Sequence, residues 1–158
     1  MSGRQFMVSD PLLITVDGYM TLYEQFVAGQ YHFVCNRIRS GAYPITNFQL
    51  CQRRMVIISV RWETNDWELG EFFSQRNFRD GRVEDLLAFG TYLVSHQTWR
   101  QQCEPVIARG SFCSGQFLSG KAGGQYHPFL DTRRNDLNSV SVDHQRYGSR
   151  WNFLAIVQ

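Results

Sequence analysis

The segment NFRDGRVEDLLAFGTYLVSH, residues 77 to 96, carries the strongest periodic pattern in the chain and most limits its fold. Its apolar residues recur at intervals of three and four, which is the spacing of one face of an α-helix. They are Val83, Leu86, Leu87, Gly90, Leu93 and Val94. We therefore predict a buried helix that starts after Gly81. A helix start does not require an arginine beside its apolar face, so Arg82 is a candidate for ligand binding.

Composition and charge restrict the class of protein. With 158 residues, 43% of them hydrophobic and 19% charged, we expect one folded domain over residues 1–158. The formal net charge is +2 and the arginines are scattered, so we predict no nucleic-acid binding. The longest apolar runs fall well short of the ~20 residues that span a bilayer, so we predict no integral membrane anchor.

Cysteine and histidine spacings give no sign of a catalytic or metal site. None of the four cysteines forms a CxxC pair, and the histidines lack the spacing of metal ligands. The cysteines are Cys35, Cys51, Cys103 and Cys113. We expect free thiols in a reducing compartment, no metal, no cofactor and no enzymatic activity. A Cys–His hydrolase, for example with Cys103 and His127, remains an alternative that fast thiol alkylation at neutral pH would reveal.

A second helix is predicted near the N-terminus. Asp10 followed by Pro11 is a strong helix start, because Asp caps the first turn and Pro needs no hydrogen bond there. The apolar residues behind it again follow helical spacing: Leu13, Val16, Met20, Tyr23 and Val27. The alternative is a β-hairpin that turns at Asp17-Gly18. We favour the helix, with its end at Gly29.

The remaining elements have weaker signals. The stretch MVIISV, residues 55–60, is rich in β-branched types that favour a strand, and helix or strand stays open for residues 54–61. Glu104-Pro105 predicts the start of another helix, for which Gly120 is the predicted stop, and Gly123-Gly124 predicts a loop. The C-terminal YGSRWNFLAIV is consistent with a short helix or a terminal strand.

Four short groups in the opening segment stand at informative offsets: Gly81-Arg82-Val83, Leu86-Leu87, Phe89-Gly90 and Leu93. This pattern resembles the first homology motif of the Bcl family of apoptosis regulators (B-cell lymphoma two-like). In that family, Asn-Trp-Gly-Arg precedes an apolar helix that carries Phe-Gly. Two differences are present here: Arg79-Asp80 separate Asn77-Phe78 from Gly81, and Phe78 replaces the tryptophan.

The resemblance extends in outline to other parts of the chain. The stretch LLITVDGYMTLY is similar to the first helix of the family. The stretch VCNRIRSG lies where the helix of the third homology motif would be, but lacks its Leu and its Gly-Asp pair. Residues 145–153 resemble the second homology motif, in which Gly-Gly-Trp precedes an apolar residue.

The resemblance implies an all-α fold, a Bcl-like helical bundle around a central hydrophobic helix with a surface ligand groove. It also implies an apoptosis inhibitor, which binds and sequesters the amphipathic death-motif helix (the third Bcl homology motif) of pro-apoptotic host proteins. Short length and divergence resemble the viral members of the family. The expected location is the host cytoplasm, with peripheral association at mitochondria through those partners.

The expected ligand-helix site has a polar and an apolar part. Arg82 would bind an Asp of the partner helix, Asn77 would add a hydrogen bond, and Gly81 would let the ligand backbone approach. The apolar groove would consist of Leu69, Phe72, Phe73, Val83 and Leu86, with Val34 and Ile38 opposite. An open apolar groove of this kind is also an expected contact for a homodimer.

A second hypothesis comes from a different class of protein. The stretches MVIISVRW and RWNFLAIV, read as strands, predict an α+β fold. The function would then be that of a viral structural or assembly protein without catalytic activity.

Overall fold

A computed structural model describes residues 5–100, 105–116, 122–141, 146–149 and 151–158. Within these residues the chain forms strands β1 (Phe6–Val8), β2 (Leu12–Asp17), β3 (Phe33–Val34), β4 (Leu50–Val60), β5 (Thr64–Asn65), β6 (Phe78–Asp80), β7 (Val106–Ile107), β8 (Cys113–Gln116), β9 (Ala122–Asp131), β10 (Asp136–Ser141), β11 (Arg146–Tyr147) and β12 (Asn152–Val157). The helices are α1 (Leu22–Gly29), α2 (Asn36–Arg39), α3 (Asp66–Gln75), α4 (Val83–Val94) and α5 (Gln97–Arg100).

Ten of these strands form one mixed sheet, so the predicted all-α bundle is wrong. The sheet runs in the order β1-β4-β12-β7-β9-β10-β3. In addition, β2 pairs with β4, β6 with β12 and β8 with β9, while β5 and β11 form a separate pair. The long antiparallel pair of β4 and β12 lies at the centre of this arrangement.

The sequence left helix or strand open for residues 54–61, and the structure shows a strand, in agreement with the β-branched residues of 55–60. Residues 54–61 lie in β4 up to Val60, and Met55 to Ile58 are all buried. A strand buried on both faces is expected to read as a continuous apolar run, which is why no alternation is visible there. The terminal stretch NFLAIV likewise forms β12.

Each face of the sheet carries its own hydrophobic core. Successive side chains of a strand point to opposite faces. Met55, Ile57 and Leu154 therefore belong to the core under α4, with Leu86, Leu87 and Phe89. Val56, Ile58 and Phe153 belong to the core under α3, with Leu69, Phe72 and Phe73. We call these the α4 core and the α3 core.

The predicted helix from Asp10 to Gly29 is wrong in its first half. Residues Leu12 to Asp17 form β2, in which Leu12, Ile14 and Val16 are buried while Leu13 is exposed. Period two fits these residues as well as helical spacing does, and pairing with β4 decides between them. The helix α1 begins only after Thr21, which forms a capping box with Glu24. Asp17-Gly18 ends the strand, but a helix follows instead of a hairpin partner.

The predicted helix after Glu104-Pro105 is also wrong. Val106 and Ile107 form β7, which is parallel to β12, and β8 follows from Cys113. The expected loop at Gly123-Gly124 is part of β9. The predicted stop of that helix at Gly120 lies outside the described residues.

Two strands meet end to end on one edge of β12. Because β4 occupies the other edge, β6 and β7 must share this one. β6 runs towards Ala155 and β7 runs towards Phe153, so their C-terminal ends converge at Leu154. Two loops leave from this point: the Gly81 N–H donates to the Leu154 carbonyl at 2.8 Å, and the Gly110 N–H donates to the Gly81 carbonyl at 2.8 Å.

The predicted helix of the opening segment is confirmed as α4. Within the described part of the chain, no helix combines the length and the hydropathy needed to cross a membrane.

Candidate functional site

The predicted apolar groove is not assembled by this fold. All seven of its residues are buried, with exposures between 0% and 6%. The central sheet also separates them: Val34, Ile38, Val83 and Leu86 lie in the α4 core, whereas Leu69, Phe72 and Phe73 lie in the α3 core. They stabilise the fold from opposite sides and share no surface.

Of the three residues predicted for the polar part of the site, Arg82 and Asn77 reach the surface and Gly81 does not. The Arg82 guanidinium donates through Nη1 to Thr46 Oγ1 at 2.8 Å. Asn77 has φ 56° and donates to the Gln158 carbonyl at 3.1 Å, which holds the end of β12. Gly81 is buried, and an added Cβ would lie 2.9 Å from the Leu154 carbonyl oxygen. Arg82 therefore contacts the loop before β4, whereas Asn77 contacts the end of β12.

The start of α4 contains a buried carboxylate, Asp85, that two arginines neutralise. Asp85 is 0% exposed and accepts hydrogen bonds from Arg53, from Arg79 at 3.1 Å and from the Arg82 backbone N–H at 2.9 Å. Burial opposes the charge of Arg53, but Asp85 outweighs it and raises the pKa of Arg53. This network connects β4, β6 and α4, so its role is structural.

Glu84 is the second buried carboxylate at the start of α4. One oxygen, Oε1, accepts from the Thr46 hydroxyl at 2.6 Å and from the Thr46 N–H at 3.3 Å. The other oxygen, Oε2, is buried without a hydrogen-bond partner. Both carboxylates lie in the first turn, where the positive end of the helix dipole favours negative charge.

A second, partly buried network surrounds Arg109 where β6 and β7 meet. Its guanidinium donates to both carboxylate oxygens of Asp80, at 2.9 and 3.2 Å, and to Asp66 Oδ1 at 3.1 Å. The Tyr147 hydroxyl donates to Asp66 at 2.8 Å. Burial lowers the pKa of Arg109, but the bonds to Asp80 outweigh it and raise that pKa overall. Since each acid is paired with the arginine, this network ties α3 to the loops at mid-sheet.

His127, the histidine of the alternative Cys–His pair, is buried next to that network. Its Nδ1 lies 2.8 Å from the Ser111 carbonyl oxygen, so this nitrogen carries the proton and donates. Burial lowers the pKa of His127, and the ring is therefore neutral at pH 7. Cys103, its predicted partner, lies outside the described residues. Cys35, Cys51 and Cys113 are free thiols.

A cleft on the outer side of α3 has the character of a binding site. It has a volume of about 430 Å³ and lies between α3, the start of β1 and the turn after β4. Its lining comprises Gln5, Phe6, Trp62, Trp67, Glu68, Glu71, Phe72 and Gln75. We call it the tryptophan cleft.

The floor of the tryptophan cleft is buried and its walls are exposed. Phe6 and Phe72 form the floor, with ring centroids 4.6 Å apart and both side chains buried in the α3 core. Trp62 is 51% exposed and Trp67 is 73% exposed. Two large indole rings at such exposure leave much apolar surface in contact with water, which is typical of a site that a ligand covers.

The polar groups of the tryptophan cleft are carboxylates and amides. Glu68 is held in place, since its Oε2 accepts from Gln5 Nε2 at 3.2 Å and from the Thr64 hydroxyl at 2.8 Å. Glu71 is exposed on the next turn of α3. A smaller cavity of about 200 Å³ adjoins at Glu68 and is lined by Glu63 as well. Among the described residues, no lysine or arginine lines either space.

Neither Trp62 nor Trp67 is among the site residues predicted from the sequence. The available signal was the stretch WETNDWELGE, in which each of the two tryptophans is followed directly by a glutamate. Spacing within α3 places Trp67 and Glu71 one turn apart on a side different from that of Leu69 and Phe73. Gln5 and Phe6, which complete the cleft, come from a distant part of the chain and have no local signature.

No group of three or more potential metal ligands is present among the described residues. Comparison with protein-family models, with curated proteins and with solved structures found no match. The resemblance to the Bcl family therefore has no support from related proteins.

Proposed function

We propose that this protein is a non-catalytic recognition protein that binds an organic cation, an ammonium or guanidinium group, in the tryptophan cleft. The observation that carries the proposal is the pairing of two exposed indole rings with two carboxylates, Glu68 and Glu71, in one cleft. The cation is the shared chemistry of two sources, a free small molecule and a basic side chain of a peptide.

The physical argument rests on the indole faces. The π-system of tryptophan has a negative face that attracts cations, and tryptophan is the strongest of the aromatic side chains in this respect. A carboxylate near the same ring adds attraction without competing for the ring face. A cation between Trp67 and Glu71 would use both effects, while the buried floor at Phe72 would contact the alkyl part of the ligand.

The experiment is a titration of the purified protein, followed by tryptophan fluorescence and calorimetry. The probes are choline, arginine methyl ester, and a capped peptide with a single arginine; methyl glucoside is the neutral control. We expect saturable binding of the cations in the micromolar to millimolar range and none of the sugar. Absence of saturation by every cation up to about 10 mM would overturn the proposal, as would equal binding of the sugar.

Variants locate the site. We expect Trp67→Ala to weaken cation binding about tenfold and Trp67→Phe to weaken it less, because Phe is a poorer cation partner. Glu71→Gln should weaken binding and reduce its dependence on salt. Tyr23→Ala is the matched control, since Tyr23 is an aromatic side chain 75% exposed on another helix. An equal loss with Tyr23→Ala would contradict the assignment.

The earlier functional hypotheses stay predictions. Apoptosis inhibition through a helix groove depended on an all-α bundle, and the apolar residues assigned to that groove are buried on both sides of the sheet. The viral structural or assembly protein was predicted with an α+β fold, and strands at β4 and β12 agree with that part alone. A synthetic death-motif helix belongs in the same titration, because its binding would favour the first hypothesis over ours.

A further inference from the structure

A second cavity lies at the opposite end of the sheet from the tryptophan cleft. It has a volume of about 460 Å³ and is lined by Cys35, Asn36, Arg37, Asn138 and Ser139. It forms beside β10 at the point where β3, after pairing with Asp136 and Leu137, no longer continues. We call it the α2 pocket.

The cation of the α2 pocket is fixed in position and has no acidic partner. The Arg37 guanidinium stacks on the Tyr126 ring, with Cζ 3.7 Å from the ring centroid. Among the described residues, Arg37 forms no ion pair, and no carboxylate lines the pocket. Stacking uses one face of the guanidinium and leaves the N–H groups at its edge free to donate.

The other lining groups complete a set of donors. The side-chain amides of Asn36 and Asn138 each supply N–H groups. The Tyr43 hydroxyl donates to Ser139 Oγ at 2.8 Å, so the Ser139 hydroxyl can donate its own proton to Cys35 Sγ or to a ligand. Burial raises the pKa of Tyr43, so the phenol stays protonated and keeps this direction. Cys35 Sγ lies 3.4 Å from Ser139 Oγ, so the thiol is also close to the donor set.

We propose that the α2 pocket binds an oxyanion, a carboxylate or phosphate group of a small organic ligand, with Arg37 as its principal contact. An oxyanion takes two parallel hydrogen bonds from a guanidinium, and the edge of the Arg37 guanidinium offers this pair of donors. The volume exceeds that of a bare ion, so the pocket accommodates an organic group attached to the anion. This site is independent of the tryptophan cleft in both position and charge.

The binding test uses inorganic phosphate and acetate as probes, followed by amide chemical shifts at constant ionic strength. We expect saturable chemical-shift changes at the amides of Asn36, Arg37 and Ser139. A change in the chloride concentration alone should not alter them. Arg37→Ala should weaken binding about tenfold or more, and Arg37→Lys should weaken it less but clearly. Arg39→Ala, the same charge change on the same helix, should leave binding within about twofold.

Cys35 supplies an independent readout. Iodoacetate is an anion and iodoacetamide is neutral. The positive charge of Arg37 near Cys35 should therefore accelerate alkylation by iodoacetate relative to iodoacetamide. We expect a higher iodoacetate-to-iodoacetamide rate ratio at Cys35 than at Cys51, read by mass spectrometry of the labelled peptides. Arg37→Gln should lower the ratio at Cys35, and saturating phosphate should slow its alkylation.

Two results would overturn the proposal. Equal loss of phosphate binding with Arg37→Ala and Arg39→Ala would assign it to diffuse charge and overturn the proposal. An unchanged rate ratio at Cys35 in Arg37→Gln would also overturn it. Folding of each variant is checked by its thermal midpoint, and Arg37→Lys retains the charge if Arg37→Ala fails to fold.

Discussion

Tyr31 lies between two glycines, and the absence of their side chains is what allows its ring to fit. A Cβ added at Gly29 would come within 2.2 Å of Tyr31 Cε2, and one added at Gly90 within 2.0 Å of the Tyr31 hydroxyl oxygen. That hydroxyl donates to the Leu87 carbonyl at 3.0 Å, which ties the loop after α1 to α4. Gly90, which the sequence suggested as part of a family motif, is explained by this contact.

At this scale we predict that Gly90→Ala destabilises the protein by about 1–3 kcal/mol, because the added methyl group displaces Tyr31. Gly70→Ala is the matched control on α3, where the nearest atom to an added Cβ is Arg109 Nη2 at 4.0 Å. That change should be neutral or stabilise by up to about 1 kcal/mol, through helix propensity. Urea denaturation measures both, and a Gly90→Ala variant as stable as Gly70→Ala would refute the contact.

Among the elements, α4 combines a buried hydrophobic face with two carboxylates in its first turn. Glu84 and Asp85 are charged residues in its first turn, yet both are buried, at 2% and 0% exposure. The loop before β8 also contributes, since the Ser111 hydroxyl accepts from the Val83 N–H at 2.7 Å. Burial of a carboxylate costs free energy, and the ion pairs with Arg53 and Arg79 offset that cost at Asp85.

For this element we predict that Asp85→Asn destabilises the protein by roughly 3–5 kcal/mol, because it removes a fully buried anion and leaves two partly buried guanidinium groups without their partner. Glu24→Gln changes the equivalent position of the exposed capping box on α1 and should cost less than about 1 kcal/mol. Chemical denaturation of the two variants side by side provides the measurement. Similar losses in both would mean that Asp85 acts only as a helix cap.

The whole molecule depends on β12, because this strand contributes to both cores. Phe153 and Leu154 are both 0% exposed and point to opposite faces, towards α3 and α4 respectively. The strand also pairs with β4, β6 and β7. Loss of packing on either face therefore weakens the shared sheet and reaches the other core.

At the scale of the molecule we predict that Phe153→Ala costs about 3–5 kcal/mol and Leu154→Ala about 2–5 kcal/mol. Each variant should still unfold in one transition, seen at the same midpoint by circular dichroism and by tryptophan fluorescence. Leu13→Ala, an exposed leucine on β2, is the control and should change stability by less than about 1 kcal/mol. Separate transitions for the two probes would contradict a shared, cooperative sheet.

The elements that the sequence predicted correctly are those whose signal is local. The three- and four-residue spacing from Val83 to Val94 identified α4 without any tertiary information. The β-branched run before Val60 favoured the strand that is observed. Where two local patterns fitted equally, as from Leu12 to Val16, the sequence favoured the helix and was wrong, because pairing with β4 supplied the deciding hydrogen bonds.

By itself the sequence determined which stretches are apolar enough to be buried and where α4 begins. Only the tertiary structure decided which side of each element became surface. Trp67 and Leu69 are neighbours on α3, yet one is 73% exposed and the other 0%. The Arg37–Tyr126 and Arg109–Asp80 contacts likewise join residues from separate elements. The physical reason is that burial, ion pairing and clefts depend on non-local contacts, which a residue's neighbours in the chain do not specify.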